Sequence, residues 1–243
     1  MSYQLKYKPF GISSILIEWP QYIERAILDD IISFKQKIEH SEVFSLRFTN
    51  HAYTSLLLNF NTEAFDFTSV VEKLDMLYQQ SNVNLNTTST LWKIPVCYDE
   101  SFGIDLEDMS KEKNIEIEEI VKRHTAPVYT VFFVGFLPGF LYLGGLDASL
   151  FSPRRSSPRL RIPEGSVAIG GGQTGIYPSE SPGGWHIIGN SPVTFFDASK
   201  HPPCFSKAGD RLQFYSISLK EYSDIKTLAE AGVYQLEREE IDG

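Results

Sequence analysis

The chain has 243 residues, 42% of them hydrophobic, which is enough for one large domain or two ordinary ones with a core of normal size. Its formal net charge of −9 argues against nucleic acid as a partner, because phosphate neutralisation needs a basic surface. No apolar run reaches the ~18 residues of a membrane-crossing helix, the opening residues lack a secretory pattern, and Cys97 and Cys204 stand far apart, so a cytoplasmic protein with reduced thiols and no membrane partner is expected.

Ile12 to Trp19 reads as a strand that stops at Pro20, after which Tyr22, Ile23, Ala26, Ile27, Ile31, Phe34 and Ile38 recur at helical spacing. Glu42 to Phe60 holds two β-rich runs, VFSLRF and YTSLLLNF, around the turn-like Thr49–Asn50–His51–Ala52, which predicts a hairpin. Phe67, Val70, Val71, Leu74 and Leu77 mark a second helix, and Thr90 to Cys97 (TLWKIPVC) a further strand. The order β-α-β-β-α-β predicts a ferredoxin-like domain over residues 1–95, within an α+β chain.

Residues 96–243 form the second predicted domain, a closed or nearly closed β-barrel with two short leading helices and a C-terminal helix. Ile104 to Thr125 supplies the leading helices, with Asp105 and Asn114 as their expected N-caps. Lys122, Arg123 and His124 suit the negative end of the second helix dipole, which accounts for His124 without any chemistry. Val128 to Val134 (VYTVFFV) is a buried-looking strand, and GSVAIGG, WHIIGN, VTFFD and DRLQFYSIS predict further short ones. Closure into a barrel removes the exposed edges that so many short strands would leave. Leu219 to Ala231 follows as a helix lying over the barrel.

Between Val134 and Pro192 the chain is densely punctuated by glycine and proline, so its backbone turns repeatedly and can come close to a ligand or partner. Arg154, Arg155, Arg159 and Arg161 lie in this frame, and a guanidinium fork binds a carboxylate or phosphate. Gln173, Thr174, Tyr177, Ser179, Ser181 and Trp185 add neutral polar groups and a stacking surface. Gly170, Gly172 and Gly175 match GxGxxG, but Ile176–Tyr177–Pro178 cannot continue the helix that a dinucleotide site requires. There is no P-loop, no GxSxG elbow and no His/Cys pairing at metal-ligand spacing, so no metal is expected. Asp147, Glu164 and Asp197 sit near turns and rank low as acids or bases. The residues alone thus give a polar, arginine-bearing groove on a barrel and no substrate.

GFLPGFLYLGGL, PRRSSPRLRIPEGSVAI and QTGIYPSESPGGWHIIGNSP, in that order, resemble the family of 5-oxoprolinase B subunits, also called allophanate hydrolase subunit 1 or KipI-like. The chain is similar as well to half of the carboxyltransferase domain of urea carboxylase, subdomains C and D. The resemblance implies a cyclophilin-like barrel and a subunit, inactive alone, of an ATP-dependent lactam hydrolase that converts 5-oxo-L-proline to L-glutamate. It implies two partners, the C subunit, a second protein of carboxyltransferase type, and the A subunit, with ATP held by this chain or by one of them.

Carried over position by position, the resemblance implies His124, Arg154, Arg159, Gln173 and Tyr177 as catalytic residues. It implies Phe136, Pro138, Gly139, Thr174, Gly183, Gly184 and Trp185 as the substrate-binding wall. Arg154 and Arg159 would hold an anion, Gln173 and Tyr177 orient an amide, and His124 act as acid or base. Asn190 and Ser191 depart from the family's usual arginine and threonine, and Tyr98–Asp99–Glu100 from a glycine-richer turn. Two alternatives stay open: a KipI-like inhibitor of histidine kinase autophosphorylation, with the kinase as partner, and an allophanate- or urea-related hydrolase or carboxyltransferase subunit.

Overall fold

A computed structural model describes residues 3–62, 65–80 and 88–242. The chain is mixed α+β and divides into two compact units, 1–87 and 88–243.

In the first unit β1 (Lys6–Pro9), β2 (Ser14–Glu18), β4 (Ser55–Phe60) and β3 (Leu46–His51) form an antiparallel sheet in the order β1-β2-β4-β3. Helix α1 (Arg25–His40) buries Ile27, Ile31, Phe34 and Ile38, which the periodicity predicts, and Leu28, which it does not. The four predicted residues pack with Ile15, Ile17, Leu56, Leu58 and Leu74, the last from α2 (Phe67–Gln79). The βαββαβ reading needs two corrections. A charged strand that the sequence did not announce, β1, occupies the sheet edge beside β2. The strand expected to close this sheet, β5 (Thr88–Val96), belongs to the second unit, so the division falls before residue 88 and not at 95.

The second unit is built on β5, whose alternation buries Ile94 and Val96. It pairs in parallel with β13 (Arg211–Ser216) and antiparallel with β14 (Arg238–Asp242). The sheet runs β12-β9-β10-β7-β6-β13-β5-β14, where β6 is Tyr129–Val134, β7 Leu141–Gly144, β9 Ser166–Gly170, β10 Gln173–Ile176 and β12 His186–Asn190. Just past β5, Cys97 and Asn190 exchange both backbone hydrogen bonds, at 2.9 and 3.0 Å. That bridge joins the end of β5 back to β12 and closes the ring at this one residue pair, while β14 stays on an edge with β5 as its partner. The Asn190 side chain adds bonds to Glu164 O and from the Tyr222 hydroxyl, both 2.8 Å, which gives this departure from the family pattern a framework role.

The interior is filled by Val131, Leu141, Leu143, Val167, Ile169, Ile176, Ile188, Leu212 and Phe214. Asp210, 1% exposed, accepts from Thr90 N, Trp92 Nε1, Ser206 Oγ and Lys207 N, fastening the start of β5 to the turn before β13. The leading helices are α3 (Leu106–Lys113) and α4 (Ile117–Thr125). Of their two expected N-caps, Asp105 holds the position and Asn114 does not. Asp105 precedes α3 but makes no side-chain cap bond, and Asn114 ends α3 with φ 52° instead of starting α4, whose N-cap is Glu116. Helix α5 (Leu219–Glu230) starts with a capping box between Ser218 and Glu221. The predicted strand VTFFD forms no ladder, whereas β8 (Arg159–Ile162) and β11 (Ser181–Gly183) pair as a separate two-stranded ribbon.

Candidate functional site

Alternation along the wall decides which predicted site residues meet. On β9, Val167 and Ile169 join the interior, while Ala168 joins an outer cluster with Phe140, Ile162, Tyr177, Trp185 and Ile187. On β10, Thr174 points inward, and a Cβ on Gly175 would lie 3.1 Å from Phe140 and 3.2 Å from Trp185. The single groove expected from sequence is therefore two constellations on opposite faces of the barrel wall.

The inner one centres on His124, which is fully enclosed and stacked on Phe214 at 4.6 Å. Tyr98 Oη lies 2.7 Å from Nδ1, and Thr174 Oγ1 lies 2.8 Å from Nε2. Thr174 spends its hydroxyl proton on Ala168 O at 3.1 Å, so its oxygen accepts from Nε2–H, and Nδ1 in turn accepts from Tyr98. Burial lowers the His124 pKa to about 3, so the ring stays neutral at physiological pH. Both nitrogens are committed and no face is open, so the acid–base role expected of His124 and the substrate contact expected of Thr174 give way to a framework role. The helix-dipole reading of His124 is incomplete for the same reason: it sits in the last turn of α4, but its ring is anchored across the core.

On the outer face Trp185 lies on a floor made by small residues. A Cβ on Gly170 would come within 2.4 Å of the indole, so the glycines of the rejected GxGxxG pattern make room for a ring and not for a pyrophosphate. Gly183 is packed against the Tyr177 hydroxyl, which a Cβ there would meet at 2.3 Å. Tyr177 is itself buried and accepts a backbone hydrogen bond from Trp185; burial raises its pKa, opposed by that bond and by the charge of Arg154. Tyr142, which lies within GFLPGFLYLGGL but is not among the expected site residues, has its pKa raised by burial with Arg154 again opposing. The Arg154 guanidinium sits 5.9 Å from the Trp185 ring centre, a cation–π contact, with its side chain open to solvent. Phe140 contacts Trp185 at 5.6 Å and Phe136 at 5.5 Å, linking the cluster to the GFLPGF turn.

That turn presents Phe136 in the left-handed region, φ 66°, with 63% of its surface exposed. A bulky residue there costs about 1–2 kcal/mol in backbone strain. Pro138 is exposed beside it, and Gly139 (φ 83°) is required because a Cβ would meet Phe196 at 2.7 Å. Gln173 is half-buried at the start of β10, opposite Gly170, and Gly184 accepts from Arg155 N at 2.8 Å.

The remaining arginines are committed. Arg159 makes a two-pronged bond to Asp105, 2.8 and 2.7 Å, and Arg155 adds a third at 3.1 Å. Asp105 is 1% exposed and also accepts from Ile187 N at 2.7 Å. Arg161 pairs with Glu180 in the same forked way. The anion that Arg159 was expected to hold is thus a carboxylate of the chain itself. Nothing in the sequence signalled this, since Asp105 lies 54 positions away and reads as a helix cap. These commitments also test the fit of a nucleotide: with Arg155, Arg159 and Arg161 bound to carboxylates, the cluster does not suit a string of phosphates. Clefts away from these residues include one of about 720 Å³ beside Trp92, Tyr234 and Arg238, one of about 500 Å³ beside Tyr98, Val121 and Leu219 and one of about 460 Å³ beside Lys93, Gln213 and Glu237. Among the described residues no group of three or more His, Cys, Asp or Glu could hold a metal, and no helix is long and apolar enough to cross a membrane.

The fold and the family model that matches it both define a carboxyltransferase-type domain. Urea carboxylase from Kluyveromyces lactis superposes with a TM-score of 0.81 at 19% identity, covering 99% of this chain and 24% of that protein, a likeness of fold. The model of the carboxyltransferase domain, subdomains C and D, matches residues 5–206, and the chain belongs to that family. Among relatives, the 5-oxoprolinase B subunit of Bacillus subtilis (strain 168) is 43% identical over 157 residues, 65% of this chain and 64% of that protein. The Escherichia coli O157:H7 protein of the same name is 38% identical over 161 residues, 66% of this chain and 72% of its own. The match to the Bacillus protein thus spans slightly under two thirds of its length.

Proposed function

We propose that the chain is the B subunit of an ATP-dependent 5-oxoprolinase, acting in a complex with the C and A subunits of that enzyme. The observation that carries this is the agreement of three relatives at 38–43% identity, all named as the B subunit of 5-oxoprolinase. The overall reaction breaks the lactam C–N bond of 5-oxo-L-proline with one water and hydrolyses ATP to ADP and phosphate with another. In this reading the second unit is a cyclophilin-like barrel and the first a ferredoxin-like sheet in which β1 stands in for the usual fourth strand, and the protein works in the cytoplasm.

The outer face supplies the chain's part. Arg154 is the cation that meets the substrate's negative charge, and Trp185 gives that cation a fixed apolar backing. Tyr142 and Tyr177 stay protonated beside it, since burial raises both pKa values. Phe136 and Pro138 form a rim for a partner to cover, the exposed ring repaying its backbone strain on contact. ATP is met on a partner protein, in keeping with the commitment of Arg155, Arg159 and Arg161 to carboxylates. No step of the reaction is assigned to nucleotide on this chain.

The test is glutamate release from 5-oxoproline and ATP by the three proteins mixed, with each omitted in turn. Release that stops without this chain supports the reading. A stable complex with no release overturns the substrate, and inhibition of a purified histidine kinase without ATP turnover would replace the enzyme reading by the regulatory one.

A further inference from the structure

We propose that Asp105 is a positioning residue: it seats the arginine-bearing loop 153–161 on the strand that follows Trp185, and through that loop it sets where Arg154 stands. The role of Arg154 as the ligand's cation, on which the functional half rests, comes from the proposed function; the seating itself is independent of any reaction.

The loop is held before its bend by the Ser152–Gly171 bridge and after it by the pairing of β8 with β11. Between Pro153 and Pro158 its backbone is tied by Arg155 N to Gly184 O and by His186 Nε2 at 2.9 Å from Pro153 O, and Ser156 and Ser157 are exposed. Asp105 grips it on both sides of that bend, through Arg155 before and Arg159 after. The same residue is fixed to β12: the Asp105 backbone N–H donates to Ile187 O at 3.0 Å, and its carboxylate Oδ2 accepts from Ile187 N. Ile187 stands two residues beyond Trp185, so one enclosed side chain joins the strand that follows the ring to the loop bearing the cation that covers it.

Local structure argues against a merely local purpose. Asp105 occupies the N-cap position of α3 yet caps nothing, leaving the helix's first N–H groups without the bond that an aspartate ordinarily gives there. A side chain that forgoes its local bond for four donors distant in sequence is one whose placement is set by the tertiary site. The arrangement also divides the labour among the arginines. Arg155 and Arg159 are spent on the internal anion, and Arg154, one residue from Arg155, is carried into place with no carboxylate paired to it among the described residues.

The experiment uses the full chain alone and reads its three tryptophan indole N–H signals by nitrogen–proton correlation NMR, each assigned by a Trp→Phe variant. In Asp105→Asn the Trp185 signal should move towards its position in Arg154→Ala and broaden, while those of Trp19 and Trp92 stay in place. Should Asp105→Asn fail to fold, Arg159→Lys, which keeps the charge but gives up the forked bond, carries the same expectation. A Trp185 signal unchanged in a folded variant of either kind overturns the proposal and leaves Asp105 a structural anchor. In the reconstituted complex Asp105→Asn should raise KM for the substrate about tenfold, and the double variant with Arg154→Ala should be no worse than Arg154→Ala. Independent, multiplying effects would sink the claim that Asp105 acts through Arg154. An inactive wild-type complex would refute the enzyme reading while leaving the NMR result to decide the seating.

Discussion

Two polar constellations share one barrel wall and differ in what surrounds them. Inside, Tyr98, His124 and Thr174 form a closed chain in which both ring nitrogens are used and the ring is held neutral. Outside, Arg154 lies over Trp185 with its guanidinium in solvent, and no salt bridge joins it to a carboxylate among the described residues. The residue types are alike in chemical promise. Enclosure separates them: a group whose every valence is spent inside the core specifies the fold, while a group held on an apolar backing with capacity left can meet a ligand.

The largest effect that would sharpen this contrast is expected at the seam of the outer site. Asp105→Ala strands two guanidinium groups and should lower stability by about 3–5 kcal/mol, read from urea unfolding; a loss under about 1 kcal/mol would mean the arginines relax into solvent at no cost. Next comes His124. Its folded-state pKa of about 3 lies below the ordinary 6.5, so the unfolded chain binds the extra proton between those values and stability falls as pH drops through that window. From pH 6.5 to 5 the loss from this one group should approach roughly 2 kcal/mol, and His124→Gln should remove that share of the slope. An unchanged slope would mean that the ring is not buried neutral.

A comparable effect is expected from Gly183→Ala, whose new methyl would press on the Tyr177 hydroxyl: about 1–3 kcal/mol by thermal or urea unfolding. The smallest change in stability belongs to Arg154→Ala, under about 1 kcal/mol for an exposed cation–π contact. The same variant should weaken substrate binding roughly tenfold or more, since a charge-assisted hydrogen bond is worth about 1.5–3 kcal/mol. The opposed ordering of the two effects, on stability and on binding, is what the contrast requires.

Much of the fold is legible in the sequence where burial imposes a period. Ile27, Ile31, Phe34 and Ile38 announce α1, and VYTVFFV and GSVAIGG announce wall strands, because each must present one face to a core. The misreadings come where pairing, not burial, makes the strand. LKYKP and EREEID carry charges on an edge, so β1 and β14 have no apolar signature, and VTFFD has the signature but no partner. The TLWKIPVC strand is legible, but which sheet it joins depends on its partners β13 and β14, more than a hundred residues downstream.

The site shows the same limit. GFLPGF, the arginine run and Trp185 are visible as a punctuated, functional-looking stretch, and Arg154, Tyr177, Gly183 and Trp185 do gather. The two-residue alternation that sends Thr174 inward and Gly175 outward is present in the sequence, but without the register of β10 it cannot be used. Asp105 is beyond reach, since its partners come from a loop and a strand that only the closed barrel brings to it.

The contrast between the two faces is tested most directly by steady-state kinetics of the three-protein 5-oxoprolinase complex proposed above, carrying Arg154→Ala or, separately, His124→Gln in this chain. The account predicts that Arg154→Ala raises KM for 5-oxoproline at least tenfold, while His124→Gln, measured well below its unfolding temperature, leaves KM and the pH–rate profile unchanged. A profile that loses a limb in His124→Gln, with KM unmoved in Arg154→Ala, would contradict it and return the chemistry to the inner face of the barrel.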